Sequence, residues 1–256
     1  MKKSNLQVII GILFIVFVGC NQTGQNSGQA DEKSTTSSEK VGEVMTKQMQ
    51  DNMTPDGVLD DLMEGNERYV SGELINRDLP EQITSTTDGQ YPKAVVLACI
   101  DSRVPVEYIF DQGIGDIFVV RVAGNIEDEA LLGSMEYGLG VAGSKLLMVL
   151  GHENCGAVKS AIQQVDVGSD NVTSLLNEIE PAVQEVEGER NVKNKEYFDA
   201  VVKNNVHQTI EDIRNRSSII SSLENEGKAK VVAAYYSLTD GKVTILGNDA
   251  HEHHNH

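Results

Sequence analysis

The sequence predicts an α/β fold with a parallel central sheet, helices on both faces, an antiparallel edge hairpin at the C-terminus and an N-terminal helical arm. Three observations carry that prediction. Short apolar runs of strand length occur at Ala94 to Ile100, Ile117 to Val122 and Leu146 to Leu150. Helix-length segments follow the second and third of them, Glu127 to Val141 and Gly156 to Val165, and strand–helix–strand units of this length build a parallel sheet covered on both faces. Two final apolar runs, Val231 to Leu238 and Val243 to Leu246, flank the turn signal Asp240-Gly241 and read as a hairpin.

Taken from the N-terminus, the chain opens on Lys2 and Lys3, then Val8 to Val18 without a charge, then Gly19-Cys20. That run is too short to span a bilayer and reads as a signal peptide over residues 1–19. A cysteine after a small residue at its end resembles a bacterial lipoprotein processing site, so Cys20 is expected to become a lipid-bearing N-terminus. Phe17 stands where the usual pattern has Leu. An uncleaved anchor and an ordinary cleaved signal are the alternatives, and all three export the protein. The expected location is the outer face of a bacterial membrane, periplasmic or at the cell surface. Residues 20–55, rich in Asn, Gln, Gly, Ser and Thr, bury too little apolar surface to order and are expected to form a flexible tether. Val58, Leu59, Leu62, Met63, Tyr69 and Val70 recur at helical spacing and give the arm. A largely helical stretch, Val172 to Leu223 with an interruption near Gly188, precedes the hairpin. One domain over 56–248 and a His-rich tail over 249–256 complete the division, with no internal repeat.

The formal charge of −18 repels nucleic acid and anionic lipid surfaces, which argues against both as partners and leaves the lipid as the expected membrane contact; solubility or a salty habitat accounts for the acidity without naming a substrate. Of three cysteines, Cys20 belongs to the export signal, so the domain holds one pair, Cys99 and Cys155, open to a disulfide or a metal site. Cys99 sits near the C-terminal end of the first strand, and His152 and Cys155 follow the third. Ligands of open parallel sheets gather outside those ends, so the three side chains can converge. His-x-x-Cys at a strand-to-helix junction lies on one turn, and a helix start favours a thiolate. Two thiolates, one imidazole and an open fourth position suit catalytic zinc. A disulfide, or two core thiols beside a satisfied core histidine, are the competing readings.

The neighbouring residues reverse those odds. Cys99-Ile100-Asp101-Ser102-Arg103-Val104-Pro105 and Gly151-His152-Glu153-Asn154-Cys155-Gly156-Ala157, with Gly89-Gln90-Tyr91-Pro92, Asp111-Gln112-Gly113, Arg121-Val122-Ala123-Gly124-Asn125 and Glu136-Tyr137, strongly resemble β-class carbonic anhydrases. The resemblance runs in order from about Val58 to Leu246. It implies one zinc per chain on Cys99, His152 and Cys155, and reversible hydration of carbon dioxide to bicarbonate and a proton by a zinc-bound hydroxide. Asp101 would accept a hydrogen bond from that hydroxide, and Arg103 would hold Asp101 ionised and aimed. In some members the equivalent Asp swings onto the metal, which makes Asp101 a candidate switchable ligand. Gln90 would contact substrate, often across a dimer interface, and the Gly156 N–H would donate to developing bicarbonate. A homodimer or higher homo-oligomer is implied.

One departure concerns the proton. Plant-type relatives carry a histidine where this chain has Val141, four residues beyond Tyr137, and His207 reads as structural or surface. His251, His253, His254 and His256 suit loose metal binding or an inert tail and receive no catalytic role. Two other functions stand beside the main one. The first is hydrolysis of carbonyl sulfide or carbon disulfide on the same fold, separable by access-channel shape. The second is zinc binding without catalysis by a lipoprotein, against which Asp101, Arg103 and Gln90 argue, since storage needs none of them.

Overall fold

The computed structural model describes residues 42–247; the signal segment, Cys20, the first part of the tether and the His-rich tail lie outside the described residues. Its sheet has five strands, β1 (Ala94–Ala98), β2 (Ile117–Arg121), β3 (Leu146–His152), β4 (Lys230–Tyr236) and β5 (Val243–Leu246), in the order β2-β1-β3-β4-β5. The first four are mutually parallel and β5 pairs antiparallel to β4, with Ala233 opposite Leu246. Helices α1 (Lys47–Asn52), α2 (Pro55–Ser71), α3 (Leu79–Ser85) and α4 (Val106–Ile109) belong to the N-terminal half. The rest are α5 (Glu129–Glu136), α6 (Gly156–Ile162), α7 (Asp170–Glu185), α8 (Lys195–Arg216) and α9 (Ser218–Asn225).

Side chains of β1 and β3 alternate between two apolar layers, because successive residues of a strand face opposite ways. Val96, Ala98, Met148 and Leu150 join Val58 and Leu62 of α2 and Ile109 of α4 on one face. Val95, Leu97, Leu147 and Val149 join Met135 of α5, Ile213 of α8 and Ile220 of α9 on the other. Burial on both faces is why these strands read as continuous apolar runs rather than alternating ones.

The structure moves several expected boundaries. Residues 42–55, assigned to the tether, belong to the folded domain. Thr46 caps α1, and the buried Gln50 side chain donates to the carbonyls of Pro92 at 2.8 Å and Ala142 at 2.9 Å. The helix expected over Glu127 to Val141 starts after the Asp128 cap and widens into a π turn at Tyr137–Val141. There Gly138 lies against β1 so closely that a Cβ would meet Val95 Cγ2 at 2.4 Å. The long C-terminal helical stretch breaks between α7 and α8 around Gly188, as expected, and again at Ser217, whose hydroxyl accepts the Ile220 N–H to start α9. Helices α3 and α4 have no counterpart in the sequence reading, being too short to present a full amphipathic repeat.

Candidate metal centre

Strands β1 and β3 are neighbours, with Ala98 opposite Leu150, so the chain positions just beyond that pair lie side by side. Cys99 is the first residue after β1 and His152 the last of β3. Asn154, at φ +54, turns the chain so that Cys155 caps α6. Asparagine visits this left-handed conformation more readily than most residues. The ligating atoms of Cys99, His152 and Cys155 all lie within 4.8 Å of one another, and all three residues are buried. Both cysteines are free, which removes the disulfide reading for this structure.

His152 decides between a metal site and a satisfied core histidine. Its Nδ1 lies 2.9 Å from the Glu153 carbonyl oxygen, a contact that places the ring proton on Nδ1 and a lone pair on Nε2. Nε2 is buried and has no hydrogen-bond partner among the described residues, a costly condition for a polar atom. An imidazole lone pair facing two sulfurs, with the second ring nitrogen tied to a carbonyl, is a donor set that fits zinc. A hydrogen bond from the Cys155 thiol lowers Cys99 below the usual thiol range, and the same contact with burial pushes Cys155 well above it.

Asp101 borders the cluster, its Oδ2 3.9 Å from His152 Nε2. Arg103 grips it at three points: Nε to Oδ1 at 2.9 Å, Nη2 to Oδ2 at 2.7 Å, and its backbone N–H to Oδ1 at 2.9 Å. Those bonds hold the carboxyl well below the usual carboxylate range. Arg103 Nη2 also reaches the Asn154 carbonyl at 3.4 Å, which links the Asp–Arg turn to the His–Cys turn.

Gly156 opens α6 directly beside Cys155, with open space where a side chain would be. Gln90 does not join the cluster within this chain. It precedes β1 and lines a small cavity with Thr86, Asp88 and Gly115, whereas Cys99 follows the strand's other end. Five residues of strand set these ends about 13 Å apart. Tyr137 and Val141 are exposed on the π turn, and His207 lies half-buried on α8.

Two supports escaped the sequence reading. The Glu153 carboxylate is buried and takes hydrogen bonds from Lys195 Nζ at 2.6 Å, Thr239 Oγ1 at 2.8 Å and the Thr239 N–H at 3.0 Å. It thereby ties the residue after His152 to α8 and to the β4–β5 turn. Gly124 donates its N–H to Cys99 Sγ at 3.4 Å, and buried Asn205 of α8 holds the Gly124 carbonyl at 2.8 Å. Neither the pairing of Glu153 with Lys195 nor the bond between residues 124 and 205 has a local signal in the sequence.

The carbonic anhydrase family profile matches residues 94–243. Carbonic anhydrase 2 of Mycobacterium tuberculosis is 37% identical over 204 residues, covering 75% of this chain and 94% of that one. A carbonic anhydrase of Mycolicibacterium smegmatis is 37% identical over 188 residues, covering 72% of this chain and 89% of its own. Among solved structures, a tetrameric β-carbonic anhydrase from Sordaria macrospora superposes with a TM-score of 0.59 at 23% identity, covering 66% of this chain and 87% of that one. The identity and coverage place this chain in the carbonic anhydrase family, and its sheet and helices have the β-class fold.

Proposed function

We propose that this protein hydrates carbon dioxide reversibly to bicarbonate and a proton, using one zinc ion per chain held by Cys99, His152 and Cys155. The observation that carries the proposal is the buried Nε2 of His152, without a hydrogen-bond partner among the described residues and set among two sulfurs and the arginine-held carboxylate of Asp101. Zinc, when bound there, supplies the Lewis acidity that makes water a nucleophile near neutral pH. Asp101, kept ionised by Arg103, is acceptor-only. It takes a hydrogen bond from the attacking oxygen and turns that oxygen's lone pair toward the substrate carbon. The Gly156 N–H, at the α6 terminus, offers a donor to the oxygen on which charge develops. Val141 supplies no imidazole at the π turn, so buffer, or Tyr137 through water, carries the proton away.

Gln90 supports an oligomeric enzyme. Separated from its own chain's cluster by the length of β1, it serves substrate in a partner copy, which makes a homodimer the smallest complete unit. The Sordaria macrospora relatives are tetramers. We further propose export and lipidation at Cys20, on the strength of the charged start, apolar run and Gly19-Cys20. Globomycin-sensitive processing and a lipid mass on the N-terminal Cys would test it, and a soluble, unmodified product would refute it.

Stopped-flow carbon dioxide hydration with zinc content per chain tests the central proposal. One zinc with activity supports it. One zinc with turnover of carbonyl sulfide or carbon disulfide alone would replace it with the hydrolase. Zinc that is lost on deleting residues 249–256, without hydration at any alkaline pH, would replace it with a zinc-binding lipoprotein.

A further inference from the structure

Arg121 ends the edge strand β2, opposite Ala98, and the strand ladder closes there with the Val122 N–H on the Ala98 carbonyl at 3.1 Å. Beyond that bond, Cys99-Ile100-Asp101 has left the sheet. Ile100 projects into solvent, 61% exposed, so its side chain cannot anchor this loop by packing. The Arg121 guanidinium takes over where the ladder stops: Nε donates to the Cys99 carbonyl at 2.9 Å and Nη2 to the Asp101 carbonyl at 2.6 Å.

We infer that Arg121 is a positioning residue that fixes the spacing between a metal ligand, Cys99, and the carboxylate of Asp101 by bridging their two backbone carbonyls. The inference rests on the zinc-hydration reading above. A guanidinium is planar and presents its N–H groups in a fixed fork, so two carbonyls bound to one fork keep a set separation. A lysine ammonium on a flexible stem imposes none. Asp101 is thereby held twice: Arg103 binds its carboxylate and fixes the side chain, while Arg121 binds its carbonyl and fixes the main chain. Cys99 is held at its carbonyl by Arg121 and at its sulfur by the Gly124 N–H. Both bonds to Cys99 come from β2 and the turn that follows it, so the strand whose side chains include no ligand sets the position of one.

Partners behind a metal ligand typically change affinity or activity about 10–100-fold when removed. The test compares full-length wild type with Arg121→Ala and Arg121→Lys. It reads zinc release to a chromophoric chelator, the visible spectrum of the cobalt(II)-substituted protein, and kcat against KM. Because Arg121 is exposed, thermal unfolding should stay near wild type in both variants. Both should release zinc about 10-fold faster or more, alter the cobalt bands and lose kcat rather than gain KM. Added guanidinium ion should restore the alanine variant in part, an effect that a merely structural role would not give. Wild-type release rates and an unchanged cobalt spectrum in both variants would overturn the inference. If Arg121→Ala fails to fold, the lysine variant decides alone, since it keeps the charge and loses the fork. A wild type that binds neither zinc nor cobalt would overturn the zinc reading itself, a different result from variants that match a metal-loaded wild type.

Discussion

A single methyl group at Gly124 measures how tightly the metal centre is packed. Gly124 has φ +75 and ψ 11, left-handed backbone that costs a non-glycine residue about 1–2 kcal/mol. A Cβ there would stand 2.6 Å from Ile179 Cδ1 and 3.3 Å from Ala157 Cβ, against roughly 3.5–4.0 Å for a relaxed carbon contact. Ile179 is fully buried in the same apolar cluster as Cys99 and Cys155, so it cannot swing aside freely. Overpacking of this kind costs about 1–3 kcal/mol, which brings Gly124→Ala to about 2–5 kcal/mol in all. Gly72→Ala isolates the backbone part. Gly72 caps α2 at φ +76, and a Cβ there would meet nothing within 4 Å among the described residues, so only about 1–2 kcal/mol should be lost. Gly133→Ala, inside α5 with equal space around it, should gain roughly 0.5–1 kcal/mol from helix propensity. Urea unfolding followed by circular dichroism, at fixed protein concentration and saturating zinc, would rank the three. Equal losses at Gly72 and Gly124 would refute the packing argument. Zinc release should also quicken in Gly124→Ala alone, because that backbone donates to Cys99 Sγ.

Three other outcomes follow from the same structure. Asp111 is buried at φ +48 between Arg68 and Arg77; burial alone would raise its pKa, and bonds from both guanidiniums and the Ile75 N–H lower it overall. Its contribution is therefore fully present above the unfolded value of about 3.9 and is lost as pH falls through the lower folded value. Asp111→Asn should cost about 3 kcal/mol in urea unfolding at pH 7, and the gap from wild type should close in strongly acid buffer. His152→Ala should remove zinc and hydration together, whereas Asp101→Asn should keep one zinc by metal analysis and lose turnover about 100-fold or more. If the proposed homodimer is the smallest complete unit, dilution that dissociates it should reduce specific activity while zinc per chain stays constant, as sedimentation and stopped-flow hydration would record.

The parts of the fold that were legible are those whose burial is complete and local in sequence. Strands β1 and β3 are buried at every position, so no polar residue interrupts their apolar runs. His152 and Cys155 share one turn, and Cys99 follows the strand beside theirs, so topology alone brings the ligands together. What escaped depends on partners far along the chain. Gln50 sits in a polar stretch that reads as tether, and it is buried because its amide meets carbonyls at Pro92 and Ala142. The π turn escaped because Gly138 is small enough to bring its backbone against Val95, a close approach invisible to periodicity. The separation of Gln90 from Cys99, by contrast, was legible, because the apolar run between them is the strand β1.

The division between rigid and exposed parts of the site follows from what each must do. The candidate ligands Cys99, His152 and Cys155 are seated at the ends of buried central strands and at a buried helix cap, which pre-organises their donor atoms for the proposed ion. In the proposed reaction Asp101 meets a substrate that enters and leaves, and it stands on a turn with Ser102 and Arg103 exposed to solvent. A carboxylate on such a turn has no core to fix it. Its orientation is supplied by hydrogen bonds: Arg103 on the carboxylate, Arg121 on the carbonyl, and Arg103 again on Asn154 across the site. Charge-assisted bonds of this kind are directional, whereas apolar packing is not, so they suit a group that must stay aimed beside open space. The aim of Asp101 should therefore be more sensitive to these two guanidiniums than to any change in the core beneath it.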